Sequence, residues 1–374
     1  MTHPFLELCE KKIVVLDGAM GTNLQKQFLT PADFGGKDGC NEYLVITKPE
    51  AVRKIHEDFF AAGCDAVETN SFGSNRIVLA EYGLENRAFE LNEKAAKLAR
   101  EAAQKFSSSA SPRFVLGSIG PGTKLPSLGH IGFDELKEAA REQIRGLLAG
   151  GVDGLIIETC QDLLQIKIAV IAAEECFAEA RRRVPLITQV TVEPGGTLLL
   201  GSELGAAITM LEMFPIDVIG MNCATGPAEM VEHVRTLCKN SNRLVSILPN
   251  AGLPENIGGV AHYNLAPGEF ADYQERFVKE FGVSIVGGCC GTTPEHLAAV
   301  AARVKGYVPK PRKVKSEPAC ASLYSSVTYR QDPRPLLVGE QTNANGSRRF
   351  KKILEADDYE GLLEIGREAV REGA

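Results

Sequence analysis

The sequence predicts an α/β protein built on a (β/α)8 barrel, and three observations support this fold class. Apolar strand-like runs alternate with helical segments eight times between residues 13 and 304. These runs are apolar almost throughout, as expected for parallel strands that are covered on both faces. Polar or thiol residues stand where the runs end, and a barrel builds its active site from those ends. A doubly wound open sheet is the alternative, but no Gly-x-Gly-x-x-Gly follows the first strand.

Each predicted strand is a short apolar run that ends at a polar residue or a glycine turn. The predicted strands cover residues 13–17, 65–70, 114–119, 154–158, 186–192, 217–222, 244–248 and 284–288. Each predicted helix carries apolar residues at helical spacing, and the first begins at Pro49 and stops before Gly63. The predicted helices cover residues 49–62, 87–106, 133–149, 162–182, 204–214, 228–239, 268–281 and 294–304.

The composition is typical of an intracellular enzyme. The chain has 374 residues, of which 44% are hydrophobic, so it can bury a large core. Its net charge of −7 offers no basic surface for nucleic acid or an anionic membrane. The first residues lack the basic and apolar regions of a signal peptide, and no apolar run is long enough to span a bilayer. We therefore expect a soluble, cytoplasmic protein with neither a nucleic acid nor a membrane as partner.

Three of the ten cysteines stand at predicted strand ends. Cys289 and Cys290 follow the eighth strand between glycines, and Cys223 follows the sixth. Three thiolates that converge on one point would bind zinc and leave a fourth position open. Zinc in such a site binds and deprotonates an incoming thiol but leaves the sulfur nucleophilic, which indicates alkyl transfer to a substrate thiol.

Other interpretations of these cysteines are a strained vicinal disulfide or unrelated core thiols. A closed structural zinc would need a fourth cysteine or histidine, but His56, His233 and His296 fall on predicted helices.

Two acidic residues also stand at strand ends. Asp17 ends the first strand and Glu158 the fourth, where they could hold a substrate ammonium group; the alternative is that they cap the following helices. The backbone amides of Gly18, Ala19 and Met20 could receive a carboxylate. Together these groups would hold an α-amino acid with its side chain directed at the zinc.

Seven segments carry a resemblance to a known family. They are Asp17-Gly18-Ala19-Met20-Gly21-Thr22, Glu68-Thr69-Asn70-Ser71-Phe72, Ser118-Ile119-Gly120-Pro121, Glu158-Thr159-Cys160-Gln161-Asp162, Met221-Asn222-Cys223, Pro249-Asn250-Ala251-Gly252-Leu253-Pro254 and Gly287-Gly288-Cys289-Cys290-Gly291-Thr292. Over about Ile13 to Val304 the chain resembles the homocysteine S-methyltransferase family, and within it the N-terminal homocysteine module of the cobalamin-dependent methionine synthases.

The resemblance implies both a reaction and a site. The reaction would be methyl transfer to homocysteine, which gives methionine. Zinc would be bound by Cys223, Cys289 and Cys290, and Asn250 would be a weak oxygen ligand that the substrate thiol displaces. Asp17 and Glu158 would hold the homocysteine amino group, and Gly18, Ala19 and Asn70 would belong to the same substrate site.

The methyl donor is expected to come from other modules. The chain has no tryptophan and no Asp-x-His-x-x-Gly motif for binding cobalamin. The resemblance implies methylcobalamin as donor, remethylated by methyltetrahydrofolate, with cobalamin-binding and pterin-binding modules as partners. One alternative is a stand-alone enzyme that uses a sulfonium or betaine donor; another is a scaffold barrel whose three-thiol zinc is purely structural.

The C-terminal part predicts two further regions after a barrel domain of residues 1–306. Residues 307–335 form a proline-rich, partly basic linker. Residues 336–374 resemble the first strand-helix unit of the pterin-binding barrel, with Asn343 as a candidate pterin contact and Gln341 where the family pattern usually has arginine. One unit cannot bury a barrel core, so we expect this incomplete second barrel to be poorly ordered or docked on the first domain.

Overall fold

Eight parallel strands form a closed ring in the computed structural model, which describes residues 3–258 and 260–374. The strands are β1 Val14–Val15, β2 Ala66–Glu68, β3 Phe114–Ile119, β4 Gly154–Cys160, β5 Leu186–Val190, β6 Val218–Asn222, β7 Leu244–Leu248 and β8 Ile285–Val286. Strands β2 to β8 pair in sequence order, and β8 pairs with β1. A parallel bridge from Leu16 to Ala66 joins β1 to β2 and closes the ring. The predicted (β/α)8 barrel is confirmed.

A helix follows each strand. The barrel helices are α1 Pro49–Ala61, α2 Ala88–Phe106, α3 Phe133–Ala149, α4 Leu163–Ala180, α5 Leu204–Leu211, α6 Pro227–Asn240, α7 Pro267–Arg276 and α8 Pro294–Val304. Most predicted bounds agree within two residues, but α5 stops three residues early and α7 passes into a π-helical turn at Phe277–Phe281.

Several short elements lie outside the eight units and were not predicted. They include the helices Pro4–Lys11, Met20–Gln25, Leu44–Thr47 and Arg76–Leu79, the 3₁₀ turns Asn41–Tyr43, Ala80–Tyr82, Glu85–Arg87 and Pro126–Leu128, and the paired strands Glu255–Ile257 with Val260–His262 and Ala319–Ala321 with Ser326–Thr328.

The barrel interior is filled from both the strands and the N-terminal helix. Alternate residues such as Val14 and Leu16 join the inner apolar cluster, whereas Val15 packs in the larger outer cluster with the helices. Phe5 of the helix Pro4–Lys11 is fully buried and meets Phe114, at the start of β3, edge-to-face at 5.5 Å. The helix thus covers the end of the barrel where the strands begin, and the strand ends that carry the predicted site residues lie at the other, open end.

The structure divides the chain into two compact units. The first contains the barrel and extends to Ser316, with Ala321–Ser326 added. Part of the predicted linker therefore belongs to the barrel unit: the Ile13 N–H donates to the Tyr307 carbonyl (3.3 Å), and the Lys315 N–H donates to the Lys239 carbonyl (2.8 Å).

The second unit contains Glu317–Cys320 and Val327–Ala374. Its helices are Arg348–Glu355 and the predicted Tyr359–Arg371, which an ion pair from Arg349 to Glu368 joins. The strand expected from Leu336 is not formed; residues 336–347 are turns and extended chain. A parallel strand needs a neighbour to satisfy its backbone groups, and this segment pairs with no strand of the described residues. None of the helices in the described residues is long and apolar enough to cross a membrane.

Candidate metal and substrate site

The three predicted thiols meet at the open end of the barrel. The sulfur atoms of Cys223, Cys289 and Cys290 all lie within 4.8 Å of one another, and the Cys223 and Cys290 sulfurs are 3.8 Å apart. Cys223 follows β6 directly and has a φ of 60°. This left-handed conformation is unusual for a residue with a side chain and is often found at functional sites.

Hydrogen bonds within the cluster favour one thiolate. Those from Cys223 and Cys289 lower the pKa of Cys290 to about 3. The pKa of Cys289 is raised. The largest cause is its hydrogen bond with Cys223, followed by its hydrogen bond with Cys290 and by burial. Three convergent sulfurs, one already stabilised as an anion, are a donor set that suits Zn²⁺.

Asn250 lies beside the cysteine pair, and its side-chain oxygen accepts no hydrogen bond from the described residues. The Cys289 N–H donates to the Pro249 carbonyl (2.8 Å), and the Ala251 N–H donates to the Cys290 carbonyl (2.9 Å). The Asn250 side chain is buried, and its Oδ1 has no hydrogen-bond partner among the described residues. A buried oxygen without a partner is unusual and fits a role as an oxygen ligand.

A cavity of about 350 Å³ opens in front of the thiols. Four carboxyl groups line it, those of Asp17, Glu42, Glu68 and Glu158. No lysine, arginine or histidine occurs among the described residues that line it. The cavity therefore suits a ligand that carries a positive charge.

The two predicted carboxylates do not cap helices. Both Asp17 carboxylate oxygens accept the Glu68 backbone N–H, at 3.1 and 3.0 Å. Glu158 accepts the Ser118 hydroxyl at 2.5 Å and the Asn222 amide at 3.1 Å. The helix after Glu158 is capped by Asp162 instead. The alternative that these two residues are helix caps is thus excluded.

Burial controls the charge of both groups. Burial raises the pKa of Glu158 to about 7, although the Ser118 hydrogen bond opposes the shift. Burial also raises the pKa of Asp17, while the Glu68 N–H works in the opposite direction. Each carboxyl group would gain from a cation placed beside it.

The remaining predicted substrate residues lie in the cavity wall, and two of them already donate hydrogen bonds to other parts of the protein. Gly18, Ala19 and Asn70 all line the cavity. The Ala19 N–H donates to the Thr292 hydroxyl (3.2 Å), and the Asn70 side chain donates to the Asn41 carbonyl (2.8 Å). Gly18 passes so close to Thr292 that a Cβ would lie 2.3 Å from its hydroxyl oxygen. Asn343 belongs to the second unit, where its side chain hydrogen-bonds Glu340 and Gly346 of its own turn.

Two residues of the site were missed from the sequence. Glu68 lines the cavity together with Glu158, and its alternation with inward-facing Ala66 is the signal that could have found it. Tyr263 packs over Gly291, the residue after Cys290, where a Cβ would lie 2.2 Å from the ring. Tyr263 lies in the loop after β7, which has no periodicity to show where a side chain points.

Comparisons with known proteins identify relatives of the chain. The chain is 47% identical over 369 residues to the methionine synthase of Mycobacterium tuberculosis (strain ATCC 25618 / H37Rv), and 46% identical to that of Mycobacterium leprae (strain TN). Each match covers 99% of this chain but only 31% of the relative.

Among solved structures, the metallated homocysteine methyltransferase MmuM from Escherichia coli has the same fold. Its TM-score is 0.65 at 24% identity, with 80% of this chain and 98% of that chain covered. The model of the family described as homocysteine S-methyltransferase matches residues 14–304, which are the barrel with its cysteine cluster. The chain therefore belongs to the homocysteine S-methyltransferase family.

Proposed function

We propose that this chain binds homocysteine at the open end of the barrel and prepares its thiol to accept a methyl group, which gives methionine. The observation that carries the proposal is the meeting of three sulfurs within 4.8 Å in a cavity lined by carboxyl groups, where the described lining residues include no cationic side chain. An α-amino acid with a thiol side chain would place its sulfur at the three cysteines and its ammonium group beside the carboxyl groups.

The site residues form two groups, one that would bind the sulfur end of the substrate and one that would bind its amino group. Cys223, Cys289 and Cys290 would hold zinc, with the Asn250 oxygen as a weak ligand that the substrate sulfur replaces. When bound, zinc favours the thiolate form of the substrate, so a proton is released on binding. Asp17 and Glu158 would hold the ammonium group and thereby direct the sulfur toward the cysteine cluster.

The methyl donor would be methylcobalamin, itself remethylated by methyltetrahydrofolate on further modules. Relatives named methionine synthase support this part of the proposal, and the chain spans 31% of their length. Residues 336–374 would begin the pterin-binding module, with Asn343 as a candidate contact, and residues 307–335 would connect it to the barrel of residues 1–306.

The test is zinc-edge X-ray absorption on the purified chain, with and without L-homocysteine. We expect three sulfur ligands without the substrate and four with it. A Cys289→Ala variant should lose the zinc and the response, whereas a control variant, Cys320→Ala, changes an exposed thiol and should keep both. Four sulfurs throughout, or no bound zinc, would refute the proposal.

A further inference from the structure

Two loops at the open end of the barrel carry the two halves of the proposed site. Asp17, Gly18 and Ala19 follow β1, and the cysteine pair follows β8. Thr292 lies at the end of the second loop; it is fully buried and is not among the described residues that line the cavity. Its side chain can therefore act on a substrate only through the residues that it contacts.

The Thr292 hydroxyl is hydrogen-bonded to both loops. It donates to the Cys289 carbonyl (2.6 Å) and accepts the Ala19 N–H (3.2 Å). A hydroxyl group has one hydrogen to donate and lone pairs that accept, so it can make both bonds at once. One side chain thus joins the backbone of a predicted zinc ligand to the loop that carries Asp17.

The two loops are packed tightly around this hydroxyl. A Cβ on Gly18 would lie 2.3 Å from the Thr292 hydroxyl oxygen, and a Cβ on Gly288 would lie 2.5 Å from it. Neither glycine has a positive φ, so lack of space rather than backbone conformation explains why these positions carry no side chain. The Thr292 hydroxyl is therefore held against its two partners.

Asn23 adds a second link between the same loops. Its side-chain amide donates to the Ala19 carbonyl (2.6 Å) and to the Thr292 carbonyl (2.9 Å). The Gly288 N–H also donates to the Asp17 carbonyl (3.0 Å). Residues that support binding groups from behind fix the geometry of those groups. The spacing between the Asp17 loop and the cysteine pair is thus fixed by the protein itself.

We infer that Thr292 is a positioning residue that fixes the distance between Asp17 and the cysteine cluster and so selects the length of the substrate. L-Homocysteine fits when its ammonium group lies at Asp17 and its sulfur lies at the cysteines. L-Cysteine is shorter by one methylene group, so at a fixed distance it cannot reach both ends at once. This inference rests on the proposed function and adds a specificity-determining residue to it.

Two substitutions separate the hydroxyl from the bulk of the side chain. Thr292→Val keeps the branched shape and removes the hydroxyl, whereas Thr292→Ser keeps the hydroxyl. One methylene group in a binding site changes affinity by about tenfold or more, so the wild type should prefer L-homocysteine over L-cysteine by at least about tenfold. Thr292→Val should reduce this preference to less than about threefold, and Thr292→Ser should keep it.

The experiment is titration calorimetry of the zinc-loaded chain with L-homocysteine and with L-cysteine. The preference is the ratio of the two dissociation constants. A merely structural role would leave this ratio unchanged, because a loss of structure weakens the binding of both thiols alike. Thr236→Val, the matched control, removes an exposed hydroxyl on α6 and should keep the wild-type ratio.

The outcomes separate the two proposals. A Thr292→Val chain with the wild-type ratio, a Thr292→Ser chain that loses it, or a wild type that binds both thiols equally well would overturn the inference alone. A wild type that binds neither thiol would refute the proposed function instead.

A second variant covers the case in which Thr292→Val does not fold or does not keep its zinc. Asn23→Ala removes the second link between the loops at a half-buried position. It should reduce the preference for L-homocysteine by about threefold. An unchanged ratio in this variant would overturn the inference.

Discussion

The two residues that follow β6, Cys223 and Ala224, have a strained backbone conformation. Cys223 and Ala224 both have positive φ values, 60° and 57°, which few residues with side chains adopt. The conformation costs about 1–3 kcal/mol per residue, so it persists only where the surroundings enforce it. Here the Cys223 N–H donates to the Leu248 carbonyl (3.2 Å), which fixes the turn that carries the sulfur.

His56 on α1 allows a prediction about pH and stability. It is fully buried, neither ring nitrogen has a partner in the described residues, and burial lowers its pKa to about 4 from an ordinary value of 6.5. The unfolded chain therefore binds more protons between these two values. Stability is full above pH 6.5 and falls as the pH drops toward 4, by on the order of 3 kcal/mol at the lower limit.

The measurement is denaturant unfolding at several pH values between 4 and 7. The variant His56→Leu should flatten the decline in the free energy of unfolding over this window. His130→Leu, which changes an exposed histidine, is the control. If the two variants had the same pH dependence, burial of His56 would not be the source of acid sensitivity.

At the scale of elements, the helix Pro4–Lys11 is a structural plug, which here means that it covers the end of the barrel where the strands begin. Its residues Phe5 and Cys9 are fully buried in the inner cluster with strand residues such as Ile156 and Ile187. Without the helix, the strand starts would expose this cluster to water, and its apolar area would no longer be buried.

We predict that Phe5→Ala destabilises the barrel by about 3–5 kcal/mol, since it removes a fully buried aromatic ring and leaves a cavity. The matched control is Phe28→Ala, because Phe28 is 90% exposed and its loss should change stability by less than about 0.5 kcal/mol. Denaturant midpoints of the two variants, compared with the wild type, check this. Equal midpoints would mean that the helix is not a structural plug.

At the scale of the whole molecule, the proposed function gives the barrel the site that binds the thiol of homocysteine. The methyl donor would come from further modules. We predict that the chain makes methionine from L-homocysteine when methylcobalamin is added, and makes none with a sulfonium or betaine donor in its place. Cys289→Ala should abolish the reaction, and Cys320→Ala should not. Methionine formed from a sulfonium donor alone would instead favour the stand-alone enzyme.

The sequence by itself determined the barrel and the cluster of three cysteines. Continuous apolar runs predict buried parallel strands, and a residue that ends such a run must lie at one rim of a barrel. For this reason Cys223, Cys289 and Cys290 could be predicted to meet, as could Asp17 and Glu158, although they are far apart in the chain.

Only the tertiary structure decided what each rim residue touches. The contact of Tyr263 with Gly291 depends on how a loop without periodicity folds back. The shared place of Glu68 and Glu158 in the cavity wall depends on how the ring of strands closes. The missing strand after Leu336 has the same kind of cause: its local sequence favours extension, but a strand forms only where a neighbouring strand accepts its backbone hydrogen bonds.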